Sequence, residues 1–269
     1  MLSYPFMQHA FEAGTIVAVL ASVAGWFMVL RREVFAGHTL SVMSFPGAAG
    51  AALAGLPLAA GYFVFCAAGG LVIASSSRLR GARSFADESA VIGTVGAAGF
   101  ALGFLFLSLY GGVLESLESL LFGSFLGITT AQVWTLAAVA AGALAFFAVA
   151  GRPLLFSSVD ELVARTSGVP VRLLHVAFLV VLGLAVGATA QITGVLLVFA
   201  LLVAPAAAAQ RLTARVGLGL LLTLAFALAI AWLGLALAYT TNHSVGFFVS
   251  MLAFALYLLC LLTNSFATR

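Results

Sequence analysis

Long apolar runs separated by short polar breaks set the rhythm of this chain. A helix needs about twenty apolar residues to cross a hydrocarbon core, and nine runs approach that length. They cover residues 10–30, 40–56, 58–75, 91–110, 130–150, 173–189, 192–209, 216–240 and 246–263. Several are short, and Gly55-Leu56-Pro57 leaves only a tight turn between the second and third. The pattern predicts an all-α, polytopic transmembrane helix bundle forming one domain over residues 1–269.

Charge placement tests the count, because Lys and Arg gather on the cytoplasmic side of a membrane protein. Arg31 and Arg32 follow the first run, and Arg78, Arg80 and Arg83 the third. Arg152, Arg165 and Arg172 follow the fifth, Arg211 and Arg215 the seventh, and Arg269 the ninth. With nine spans every Arg falls on one face, while His9, Glu12, Glu115, Glu118 and His243 fall on the other. The N-terminus is then outside and the C-terminus cytoplasmic; an eight-span variant, with one run merged or re-entrant, stays open. The linker 111–128 places Leu114, Leu117, Leu120 and Leu121 at helical spacing opposite its two glutamates, predicting an amphipathic helix at the outer interface. Gly and Ala crowd residues 47–61 and 93–103, as membrane helices do where their backbones touch.

Composition narrows the function classes. Of 269 residues, 64% are hydrophobic and 7% charged, which excludes a soluble globular domain. All eleven basic residues are Arg, and their one-sided placement accounts for the net charge of +3 without nucleic acid as a partner. Cys66 and Cys260 lie inside apolar runs and read as small buried hydrophobes. Residues 1–5 lack a basic segment and a cleavage pattern, so no removable signal is expected. There is no Ser-His-Asp or His-Glu-x-x-His arrangement and no phosphate-binding loop, so no catalytic residues are predicted. Intramembrane carboxylates, which proton-driven pumps use, are also scarce.

Three polar constellations remain. Residues 157–172 form a long polar stretch between the fifth and sixth runs. Asp160, Glu161 and Arg165 sit on a short helix that Ser157 or Ser158 can cap, ended by Gly168-Val169-Pro170. It reads as a docking element or as a solvated connector. His38 enters the second run with Ser41 one turn later, either lining a pathway or anchored at the interface. Asp87 and Glu88 stand at the entry to the fourth run at the same cytoplasmic depth, either meeting His38 around a divalent cation or capping a helix.

At these residues the chain resembles the permease subunits of ATP-binding-cassette importers for zinc and manganese, over nearly its whole length. Tyr4-Pro5-Phe6-Met7-Gln8, with Ala13-Gly14, resembles the family's opening; Val29-Leu30-Arg31-Arg32 with Gly37, Leu40 and Ser41 resembles its second-span entry. Leu120 through Gly127 and Asp160-Glu161 through Arg172 resemble two further stretches, as does Gly194-Val195-Leu196-Leu197-Val198 continuing through Leu202-Val203-Ala204-Pro205. The chain departs from the family at one point: where Gly-Asp-x-Leu-Ser-His is usual, it has Gly37-His38-Thr39-Leu40-Ser41-Val42.

The resemblance implies a multi-pass permease of the bacterial cytoplasmic membrane that binds no cofactor and is not itself an enzyme. Expected partners are the lipid bilayer, cytoplasmic ATPase subunits, an extracytoplasmic metal-binding protein and a second copy of the permease. Asp160, Glu161, Arg165, Gly168 and Pro170 become the element coupled to the ATPase. His38, Ser41, Asp87 and Glu88 become the pathway for a transported divalent metal, zinc or manganese and possibly iron. Loss of the Asp–His pair keeps open a non-metal or chelated cargo in the same architecture. A secondary transporter or membrane scaffold without an ATPase is the alternative of another class.

Overall fold

The computed structural model describes residues 5–79, 85–110, 127–194, 198–241 and 243–267; the side chains of residues 5, 77–79, 85–88 and 264–267 lie outside that description. Every described element is helical: α1 (Pro5–Leu30), α2 (Val34–Leu53), α3 (Leu58–Leu79), α4 (Phe85–Tyr110), α5 (Thr130–Val159), α6 (Glu161–Thr166), α7 (Val171–Thr193), α8 (Val198–Leu212), α9 (Val216–Thr241) and α10 (Val245–Ala267). Helices are what such a sequence must form in lipid, since each backbone donor and acceptor then finds its partner within one segment. Of the linker predicted to hold an amphipathic outer helix, residues 111–126 are outside the described residues.

Seven helices, α1, α3, α4, α5, α7, α9 and α10, are long and apolar enough to cross a membrane. The other two long helices fall short for different reasons. α2 has 20 residues, but His38, Thr39, Ser41, Ser44 and Pro46 dilute its apolar character. It compensates by burial among α3, α4 and α7 rather than facing lipid. α8 has 15 residues, about 22 Å at 1.5 Å per residue, less than the ~30 Å hydrocarbon core. Its first turn meets α2, where the rings of Phe199 and His38 lie 5.2 Å apart.

The boundaries differ from the apolar runs in instructive ways. The expected break between runs six and seven, near Gln191, is instead at Gly194, whose φ of 77° ends α7. α2 begins at Val34, six residues before the predicted run, because Arg32 adopts φ 60° and closes α1 with a Schellman pattern. In it Glu33 N donates to Met28 O at 2.9 Å and Arg32 N to Val29 O at 3.1 Å. α5 runs nine residues past the predicted end and takes in Ser157 and Ser158.

Close backbone approach at glycines holds the central helices together. A Cβ on Gly183 would lie 2.4 Å from Cys66 O, and one on Gly61 would lie 2.0 Å from Gly47 O. The glycines of α4 act differently from the expectation for residues 93–103: they receive side chains, Met43 at Gly99 and Phe45 at Gly103. The α6 end of the bundle gathers Arg31, Arg32, Arg152, Arg165, Arg172, Arg211 and Arg215 among the described residues. The opposite end holds His9, whose Nε2 lies 3.4 Å from Thr130 Oγ1.

Gly183→Val puts a side chain against the α3 backbone, so it should destabilise the bundle by about 1–3 kcal/mol, the usual cost of overpacking. Gly142→Ala, where an added Cβ meets nothing within 4 Å, should leave stability equal or raised. Thermal unfolding of the detergent-solubilised proteins measures both.

Candidate functional site

α6 projects from one end of the bundle as a six-residue helix between two long ones. Its start is fixed by Asp160, whose Oδ1 accepts from Val163 N at 2.9 Å. The acid therefore serves as the cap, in place of Ser157 or Ser158 as the sequence predicted. Glu161 and Arg165 pair across one turn, a contact between exposed groups worth about 0.3–0.5 kcal/mol. The end is fixed by Gly168 at φ 83°. There Gly168 N donates to Arg165 O at 3.1 Å and Val169 N to Ala164 O at 3.0 Å, a second Schellman closure. Pro170 then caps α7.

One side of this helix is anchored and the other is bare. Ala164 is fully buried, whereas Val159 is 84% exposed, Leu162 73% and Val163 46%. Apolar residues flanked by Glu161 and Arg165 on a short, well-terminated helix form a knob suited to a complementary cleft.

Beneath the knob lies a polar clamp. The Arg31 guanidinium donates through Nη1 to Ser157 Oγ and Ser158 Oγ, both at 3.2 Å, and sits 5.0 Å from the centre of the Phe178 ring. Burial pushes the Arg31 guanidinium below its ordinary value, while the carboxylates of Glu33 and Glu161 act against that shift. His175 Nδ1 lies 3.4 Å from Glu33 Oε1. The turn between α1 and α2 thus holds the last turn of α5 through Arg31 and the first turns of α7 through Glu33. These are the two helices that carry α6.

The pathway residues are arranged less simply. His38 is exposed, whereas Ser41 is 2% exposed and donates to His38 O at 2.7 Å, so its hydroxyl serves its own helix. Thr39 Oγ1 donates to Ile92 O at 3.4 Å, and Gly96 faces Thr39, bringing the first turns of α4 against the start of α2. Asp87 and Glu88 lie on that part of α4, but their side chains are outside the described residues. Among the described residues no three His, Cys, Asp or Glu side chains gather as a metal site. Glu33, His175, Ser157, Ser158 and Phe178 went unassigned to any site in the sequence. Their common signal was a charge, hydroxyl or imidazole within a turn or two of a span end.

Comparison with other proteins agrees with this architecture. The family described as "ABC 3 transport family" matches residues 3–264. The manganese transport system membrane protein MntC of Halalkalibacterium halodurans is 30% identical over 216 residues, 80% of this chain and 73% of its own length. The chelated iron transport system membrane protein YfeD of Yersinia pestis is 31% identical over 206 residues, 76% of this chain and 67% of its own. Among solved structures, PsaBC from Streptococcus pneumoniae in complex with Fab superposes with a TM-score of 0.85 at 26% identity, covering 96% of this chain and 92% of that one. A match over all but a few terminal residues, on a helical bundle with the same path, identifies the chain as a member of the ABC 3 transport family.

Proposed function

We propose that this chain is the membrane permease of an ATP-driven importer for a divalent transition metal, manganese, zinc or iron. The observation that carries the reading is α6: an apolar knob flanked by opposite charges, locked at both termini, outside the bundle's apolar body. A membrane protein exposes such a surface where a soluble partner covers it. The partner is an ATPase subunit, and ATP hydrolysis belongs to it. The relatives named for manganese and chelated iron transport support the cargo class.

In this reading α2 and α8 complete nine crossings, with the N-terminus outside and the arginine-rich end in the cytoplasm of a bacterial cell. Two copies pair so that exposed His38 of each faces a shared path, since an imidazole facing lipid is costly. A binding protein outside delivers the metal. Movement of α6 passes to the α1–α2 turn through Arg31 and Glu33, and from there to His38, five residues beyond Glu33. Chelated cargo is the second reading, favoured by Val42 standing where the family carries His. Uptake by proteoliposomes holding the permease, its ATPase and the binding protein, assayed with Mn2+, Zn2+, Fe2+ and a ferric chelate, separates the two.

Gly168→Val forces a β-branched residue into a left-handed conformation, straining the turn by about 1–3 kcal/mol. It should cut transport several-fold while cargo-independent ATP hydrolysis persists; unchanged uptake removes α6 from the coupling role. Arg31→Ala breaks two charged hydrogen bonds, each of about 1.5–3 kcal/mol. It should lower the unfolding temperature and uptake together, and be non-additive with the Ser157→Ala/Ser158→Ala pair in a double-mutant cycle. His38→Ala should reduce metal uptake, while His38→Asp with Val42→His should raise it. Wild-type uptake by His38→Ala would place that imidazole in a structural role.

A further inference from the structure

At the end of the bundle remote from α6, a cavity of about 40 Å³ opens between the start of α5 and the end of α7, lined by Gly127, Ile128, Gln132, Leu136, Gln191 and Ile192. Both polar atoms of the Gln191 amide are buried there, and neither has a hydrogen-bond partner. An amide in that state is costly to fold and calls for an occupant that satisfies it. The volume suffices for a small ion with a water or two.

Charge decides what the occupant is. Gln191 stands in the last turn of α7, whose carbonyl-rich terminus carries partial negative charge. The start of α5, on the other side, has its donors engaged: Gln132 N donates to Thr129 Oγ1 at 3.3 Å and Val133 N to Thr129 O at 3.1 Å. The Gln132 carbonyl oxygen is also engaged, accepting from Thr129 N at 2.9 Å. The uncommitted side-chain acceptor is Gln191 Oε1. A neutral oxygen beside a negative helix terminus favours a hard divalent cation that keeps part of its water shell. Only residues 195–197 separate α7 from α8, whose Phe199 packs on His38, so the cavity and the imidazole flank one stretch of chain.

We infer that the Gln191 amide and this cavity form a weak way-station for the partly hydrated cation, separate from His38. The inference rests on the metal-import reading. Neutral ligands suit such a station, because a transit site must release what it takes.

The full-length permease in detergent is titrated with Mn2+ alone, and binding is followed by the Mn2+ electron paramagnetic resonance signal in a His38→Ala background. The same chains, with His38 restored, are assayed for Mn2+ uptake in the complete complex. Gln191→Leu should abolish the bound fraction attributable to the cavity and raise the uptake KM at least five-fold, with the unfolding temperature unchanged or higher. Gln191→Glu should bind Mn2+ at least ten-fold tighter and show a lower KM with a lower maximal rate. Binding and KM at wild-type values in both variants would mean that the cavity holds only water, overturning the inference. Should Gln191→Leu fail to fold, an unaltered affinity in Gln191→Glu overturns it equally. Wild-type binding without uptake of any metal by the complex would instead fault the import reading and leave the site standing.

Discussion

The bundle depends on how closely its helices can approach one another. Within lipid, apolar side chains gain little by leaving hydrocarbon for other side chains, so association rests on dispersion contacts and close backbone packing. Here the closest contacts run through α3. Gly61 admits the α2 backbone at Gly47, and α7 comes in at Gly183, where a methyl group would collide with the Cys66 carbonyl. This seam lets α2, richer in hydroxyls than its neighbours, be lodged among them with Thr39, Ser41 and Ser44 all buried.

The same tight core gives the ends of the bundle their mechanical character. Helices that touch backbone to backbone move as bodies, so a force at one terminus is carried along their length. Arg31 and Glu33, on one three-residue turn, grip the helices on both sides of α6. A push on the knob therefore reaches the α1–α2 turn without passing through a flexible loop. Two Schellman closures, at Arg32 and at Gly168, remove the slack that open turns would leave.

Much of this was legible from residue order, and what was not has physical causes. Apolar runs located every long helix, and the one-sided arginines sorted the two ends. Gly168 and Pro170 marked the end of α6 because their backbone preferences are local. Helix limits were less visible. Arg32 is no glycine, so its left-handed turn left no signal, and α2 starts earlier than its first strongly apolar residue. Gly194, not Gln191, ends α7, since a polar side chain can be housed in a helix if a cavity receives it. Partnerships were least visible of all. That Arg31 reaches Ser157, 126 positions away, is a property of the packed helices and of no segment alone. The alternation that put His38 and Ser41 on one list also hid that one faces outward and the other bonds its own backbone.

α2 also bears on how the protein is made. It leaves the ribosome second, with an apolar character below that of the seven helices lipid would readily accept. Its eventual neighbours α3 and α4 follow it, and α7 emerges only after more than a hundred further residues. Its lodging is therefore provisional during synthesis. Biogenesis must shelter this segment, by the insertion machinery or by hairpin pairing with α3, until the second half of the chain arrives to seal it in.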